Sequence, residues 1–241
     1  LHMQIIKLNA IDSTNVYLRG LVSEIPLDDF AVVTAEYQSN GRGQRATKWE
    51  SEKSKNLIIS ILKKDIRLKL ENQFMLNIIV SLAVHKTLKA LQIPNLSIKW
   101  PNDILSRQNK IGGILIDLVT KKNKIDHAII GIGLNVNQIE FEQLPKAASL
   151  KKITGINYDL NELLHYLVDN LKYYFNQQDH NLQRELYSTL LFRKGKPSTF
   201  LNPQNESFSG IIEGVSTHGK LIINTEKGLQ EFDLKSIQLM Y

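Results

Sequence analysis

Two glycines, two arginines and a lysine crowd into Gly41–Lys48, shortly after the apolar run Phe30–Ala35. Backbone bared by glycine beside guanidinium and ammonium groups is what an anion needs from a protein. Gly41, Gly43 and Ala46 satisfy the spacing G-x-G-x-x-G/A, in which a tight turn lets backbone approach a pyrophosphate and a helix begins at once. No helix signal follows. Residues 47–56 are polar without a 3.6-residue apolar period, and the next apolar run, Leu57–Leu62, has the texture of a strand. The dinucleotide reading is therefore disfavoured.

Four further stretches put polar or cationic groups where a strand ends or glycine thins the backbone: DSTN at 12–15, KWPND at 99–103, KIGGILID at 110–117 and GIGLNVN at 131–137. In KWPND, Lys99 ends an apolar strand and Pro101 turns Asn102 and Asp103 away. Lys99 is then either a point charge for a phosphate or carboxylate, or a lysine snorkelling at a sheet edge. The glycine pair Gly112–Gly113 reads as a close backbone approach or a tight turn into a strand, with Lys110 as a second cation. Asn135 and Asn137 are pocket groups or turn formers, and DSTN is first of all a helix cap. His127, among apolar neighbours, reads as a core or sheet histidine rather than a base.

The chain of 241 residues has no cysteine, which excludes disulfides, thiolate ligands and a cysteine nucleophile. Its six histidines stand singly, without metal-ligand spacing, so a zinc site is not expected. A net charge of +6 favours an anionic partner, nucleic acid or polyphosphate. The lysine pairs and KKNK at 121–124 read as solvated turns and faces. No apolar run approaches the roughly 20 residues of a membrane span, and the first residues lack a signal layout, so a cytoplasmic protein without membrane partners is expected.

The elements that must position these groups alternate irregularly. A helix opens at DSTN, capped by Asp12 or Ser13, and strands read at 30–35, 56–62, 96–100, 112–120 and 125–136. A buried helix lies within 71–93 and ends before Pro94, and an amphipathic helix runs from Asp159, its cap, to Asn176. After 193–196 short strands take over, a small antiparallel sheet or barrel near the lower size limit for independent stability. This mixture is α+β, without regular βαβ alternation.

In this order, STN at 13–15, EYQxxGRGxR with Trp49 behind it, KWPND, KIGGIL and GIGLNVN resemble the biotin protein ligase family, the synthetases of biotinylated carboxyl carrier proteins. The resemblance runs from about Ile6 to Asn137, more loosely through Leu144–Leu150, and returns in the tail. It implies a catalytic domain over 1–195, a mixed β-sheet with helices on one side, of the class II aminoacyl-tRNA synthetase/biotin ligase type. An SH3-like β-barrel over 196–241 would complete it. The implied enzyme joins biotin and ATP into biotinyl-5′-AMP, releasing pyrophosphate, and passes biotin to a lysine of a biotin carboxyl carrier domain, as in acetyl-CoA carboxylase.

By the same resemblance Lys99, Arg42 and Arg45 are catalytic, screening two anions that must meet. Ser13, Thr14, Asn15, Gln38, Gly41, Arg42, Gly43, Gln44, Lys99 and Gly113 would hold biotin. Arg42, Arg45, Trp49, Lys99, Asn102, Lys110 and Asn135 would hold ATP or the adenylate. Asp103 would orient a cation or Lys99. Mg²⁺ would arrive with ATP, on phosphates and water, its protein ligands unspecified. The loop 38–55 would be a lid, mobile alone and ordered by biotin or the adenylate.

Gln44 and Ala46 depart from the family, which usually carries arginine and glycine there; retention of the adenylate and loop geometry are the properties at stake. No helix-turn-helix precedes Met3, so no repressor role and no nucleic-acid partner are expected, and the state is monomer or homodimer. A lipoate ligase is the related alternative. A nucleic-acid-binding module is the distant one, against which stands a tail with balanced charge and few aromatics.

Overall fold

A computed structural model of the chain describes residues 3–44, 47–142, 144–234 and 236–241. β1 (Ile5–Leu8), α1 (Thr14–Glu24), β2 (Val32–Ala35) and β3 (Leu57–Lys63) precede α2 (Phe74–Ala90). Then come β4 (Leu96–Lys99), β5 (Asp103–Ser106), β6 (Asn109–Lys121) and β7 (Lys124–Leu134). α3 (Leu150–Thr154), α4 (Leu160–Asn176) and α5 (His180–Thr189) follow. The last group is β8 (Pro197–Leu201), β9 (Ser207–Val215), β10 (Leu221–Thr225), β11 (Gly228–Phe232) and β12 (Gln238–Met240).

The first seven strands form one mixed sheet, ordered β1-β2-β3-β7-β6-β5-β4, in which β1 and β2 pair parallel and the other neighbours antiparallel. Every residue of β3 is buried, so the centre of the sheet is covered on both faces. Leu57, Ile59 and Ile61 join the main core with α2 and α4, whereas Leu62 packs with Ile129 and Leu18 of α1. The helices therefore lie on both sides, where the family resemblance implied one. α1 has only 11 residues and packs on β2, β3 and β7. The β6 end of that face is left uncovered by α1.

α2 buries residues on nearly every side against α4, α5 and the sheet, as apolar residues spread over several of its sides predict. At α4 the Asp159 carboxylate accepts from the Asn161 and Glu162 amides at 2.7 and 2.9 Å, the expected cap. KKNK at 121–124 forms the exposed β6–β7 turn, with Lys122 and Asn123 at φ 50° and 60°, values that suit a two-residue hairpin. No helix among the described residues is long and apolar enough to cross a membrane.

The tail forms a second, antiparallel sheet, ordered β11-β10-β9-β8-β12, a small barrel-like unit. Its Phe200, Ile212, Leu221 and Ile223 belong to the same apolar cluster as α2, so it leans on the main body. Trp100 of KWPND donates its Nε1 to Gly219 O at 3.0 Å, tying the two sheets at the motif itself.

Candidate active site

A cavity of about 370 Å³ opens on the α1 face of the large sheet. The start of α1, Gln38, Arg42–Gln44 and Thr47–Trp49 of the loop after β2, the KWPND turn and the floor strands β6 and β7 enclose it. Ile212, Leu221 and Leu239 of the second sheet reach its wall, which the sequence reading did not anticipate.

The floor explains GIGLN. Side chains alternate along β7, so Ile130 and Ile132 enter the core while Gly131 and Gly133 face the cavity. A Cβ on Gly131 would lie 2.5 Å from Asn15 Oδ1, and one on Gly133 would lie 2.5 Å from Trp49 Cε2. Only glycine leaves room for Asn15 and for the indole to rest on the sheet.

At one end the lining is polar and buried. The Thr14 amide, an orphan donor of the helix start, gives its hydrogen to Gln38 Oε1 at 2.8 Å, and Thr14 Oγ1 lies 3.0 Å from the same oxygen. Ser13 occupies the N-cap position, but its side chain makes no capping bond. Asp12 instead accepts from the Ser13 amide at 2.7 Å, leaving the Ser13 hydroxyl for the cavity. Asn15 lies beside Ser60 Oγ at 2.5 Å and Asp117 Oδ2 at 3.1 Å.

The other end is cationic. Lys99 Nζ stands 3.7 Å from Asp103 Oδ2, and Lys110 Nζ stands 2.7 Å from Asp103 Oδ1. Arg42 lines the same space from the loop, which is pinned by Gly43 N donating to Thr47 O at 2.7 Å and Trp49 N to Gly41 O at 2.9 Å. Lys110 Nζ is 5.8 Å from the Trp49 ring centroid, and Lys99 Nζ is 5.1 Å from that of Tyr241. Burial, and then the Asp103 charge, push the Tyr241 phenol above its ordinary range.

Of the residues singled out in the sequence, Ser13, Thr14, Asn15, Gln38, Arg42, Gly43, Gln44, Trp49, Lys99, Asn102, Lys110 and Gly113 come together on this cavity. Asn102 is held there by donating its Nδ2 to Ile114 O at 2.6 Å. Two are placed differently. Gly41 is buried behind Gln38 and Trp49, and Asn135 ties β7 to the segment before α3 by donating to Ala148 O at 3.1 Å, away from the cavity lining. Arg45 and Ala46 lie outside the described residues. His127 lies on β7, its Nδ1 2.8 Å from the exposed Asp126 carboxylate and away from the cavity lining.

A model of the biotin/lipoate A/B protein ligase family matches residues 8–135, and the chain belongs to that family. Within it the likeness is to the biotin protein ligases. The structure superposes on a biotin protein ligase from Aquifex aeolicus in complex with biotin and ATP with a TM-score of 0.83 at 27% identity, covering 99% of both chains. A biotin–acetyl-CoA-carboxylase ligase of Paracoccus denitrificans is 28% identical over 230 residues, 91% of this chain and 93% of its own. The bifunctional ligase/repressor BirA of Escherichia coli is 28% identical over 231 residues, and the chain spans 68% of its length.

Proposed function

We propose that this chain activates biotin with MgATP to biotinyl-5′-AMP and transfers the biotinyl group to a lysine of a biotin carboxyl carrier domain, such as that of acetyl-CoA carboxylase. One observation carries the reading: a single cavity has a buried polar end at Thr14 and Gln38, an apolar and glycine floor, and a cationic end at Lys99, Lys110 and Arg42. Biotin has the same order of parts, a ureido group, an apolar bicycle with its chain, and a carboxylate.

In the first step a biotin carboxylate oxygen bonds to the α-phosphorus of ATP, the bond to the β-phosphate oxygen breaks, and pyrophosphate leaves with the electron pair. Two anions must approach, which costs several kcal/mol unless cations are already in place. Lys99 and Lys110 hold that charge, with Asp103 keeping both ammonium groups extended before substrate arrives. Arg42 adds a fork suited to phosphate, and Arg45 is assigned the same role by its position in the motif. Trp49 offers a ring face for adenine. Gly41 shapes the loop from behind, and Asn135 acts on the nucleotide only indirectly.

In the second step the neutral amine of the carrier lysine attacks the acyl carbon, AMP departs, and the amine loses a proton. No group of three or more histidine or acidic side chains among the described residues is gathered to hold a metal. Mg²⁺ is taken to arrive with ATP, held by its phosphates and water. The acyl phosphate is open to hydrolysis, and the loop over Arg42–Trp49 is the element that shields it.

Mass spectrometry of a purified biotin carboxyl carrier domain incubated with the protein, biotin and MgATP tests the whole reaction. The expected product carries one biotinyl group on one lysine. A carrier left unmodified by folded protein would remove this reading, and lipoylation in its place would favour the lipoate branch of the family.

A further inference from the structure

Among the described residues the Lys99 ammonium pairs with one carboxylate, Asp103, and has to share it. Asp103 gives Oδ1 to Lys110 Nζ at 2.7 Å and leaves Oδ2 3.7 Å from Lys99 Nζ, beyond hydrogen-bond distance. A shared carboxylate at that range is a weak restraint on a long side chain with many rotamers. A second group adds to it. The ring of Tyr241, the residue after β12, has its centroid 5.1 Å from Lys99 Nζ, inside the roughly 6 Å reach of a cation–π contact.

That ring is itself held. Phe192 meets it edge-on, with the two centroids 5.0 Å apart and the planes at 68°. Lys146 sets its Nζ 4.0 Å from the same centroid and donates to Tyr241 O. Phe192 is tied in turn to the KWPND strand, its amide donating at 2.8 Å to the carbonyl of Ile98, one residue before Lys99. Lys99 and Phe192 line the cavity and Tyr241 does not, so the ring backs the ammonium without taking up space for substrate.

The kind of contact matters for an adenylating site. A carboxylate within hydrogen-bond distance would occupy an ammonium N–H and cancel charge that an incoming phosphate needs. The negative face of an aromatic ring attracts the ammonium with no acceptor atom and no net charge, so the N–H groups stay available to two anions. We infer that Tyr241 is a positioning residue: its ring face, together with Asp103, holds Lys99 where the biotin carboxylate and the α-phosphate meet. The inference rests on the ligase reading above.

Tyr241→Leu keeps apolar bulk against Phe192 and removes the ring face. In biotin-dependent exchange of labelled pyrophosphate into ATP it lowers turnover at saturating substrates roughly fivefold, the scale of one cation–π contact at a partly buried site. The KM values for biotin and ATP and the thermal midpoint stay at the wild-type values. Tyr241→Phe, which keeps the ring and drops the hydroxyl, turns over at the wild-type rate. In a Lys99→Ala background Tyr241→Leu has no further effect, because the group it acts through is gone.

Wild-type turnover in Y241L overturns the inference. So does equal damage in Y241F, which would assign the effect to the hydroxyl, or an undiminished loss from Y241L in the Lys99→Ala background, which would place its action elsewhere. A loss of turnover in step with the thermal midpoint overturns it as well, being the mark of a structural role only. Wild-type protein without biotin-dependent exchange overturns the ligase reading and this inference together, whereas active wild type with an unchanged Y241L overturns the inference alone.

Discussion

Lys110 Nζ rests 2.7 Å from Asp103 Oδ1, and the other oxygen of that carboxylate lies 3.7 Å from Lys99 Nζ. One acidic group thus holds two ammonium groups at the cavity wall, where an arriving phosphate can take them over without a search through rotamers. Lys99→Ala is expected to lower biotin-dependent pyrophosphate exchange by about 10²–10³-fold, the scale of one transition-state charge contact. The fold should survive, because Lys99 is not a core side chain. Lys110→Ala should act mainly on the KM for ATP. Near-normal turnover in the Lys99 variant would remove its assigned role.

Gly131 is expected to tolerate no side chain. Its Cβ would lie 2.5 Å from Asn15 Oδ1, so Gly131→Ala must displace Asn15 and disturb the polar end of the cavity. The expected result is biotin affinity lowered about tenfold or more, with about 1–3 kcal/mol lost in stability from overpacking. Titration calorimetry with biotin, beside a denaturant curve, measures both. Unchanged affinity would show that Asn15 is not needed where it stands.

Legibility in the sequence followed local spacing and failed where a role depends on tertiary neighbours. GIGLNVN could be read because glycines two apart on a strand face the same side. DSTN reads as a cap, and only the fold turns its side chains to the cavity: the Thr14 amide is satisfied by Gln38, 24 residues away. Ser60 was hidden, since one serine inside LIISIL reads as strand, and its contacts with Thr14 and Asn15 come only with the fold. β1 and β5 are four-residue strands, and β12 has three, too short to carry a period. α5 is mostly polar, and it is fixed by Gln183 donating to Tyr174 O at 2.8 Å and by buried Tyr187. That the second sheet helps wall the cavity was equally beyond sequence, because Ile212 and Leu221 read as ordinary barrel core.

His85, buried on α2, has its pKa lowered from the ordinary 6.5 by burial first and by Lys89 second. The unfolded chain binds a proton at this group before the folded one does, so stability rises with pH across the window. Its contribution is intact above about pH 6.5 and is lost as pH falls toward the depressed folded value. Thermal midpoints of wild type and His85→Gln measured from pH 7.5 to 5 should diverge, the variant losing less. Parallel curves would show that His85 does not titrate in that range.

The loop carrying Arg42 and Trp49 is expected to close over the adenylate. Limited proteolysis within 38–55 should slow when biotin and ATP are added, and Trp49 fluorescence should shift. Trp100→Phe leaves Trp49 as the single reporter, since the chain has two tryptophans. Equal cleavage with and without ligands, together with a silent Trp49, would mean that the loop is no lid.

Exchange of labelled pyrophosphate into ATP, with biotin as the only added acid and lipoate run in parallel, tests the central claim most directly because it isolates adenylation from the choice of carrier. The cavity described here predicts exchange that requires biotin and is absent with lipoate. Exchange with lipoate alone, or none with either acid from folded protein, would contradict it.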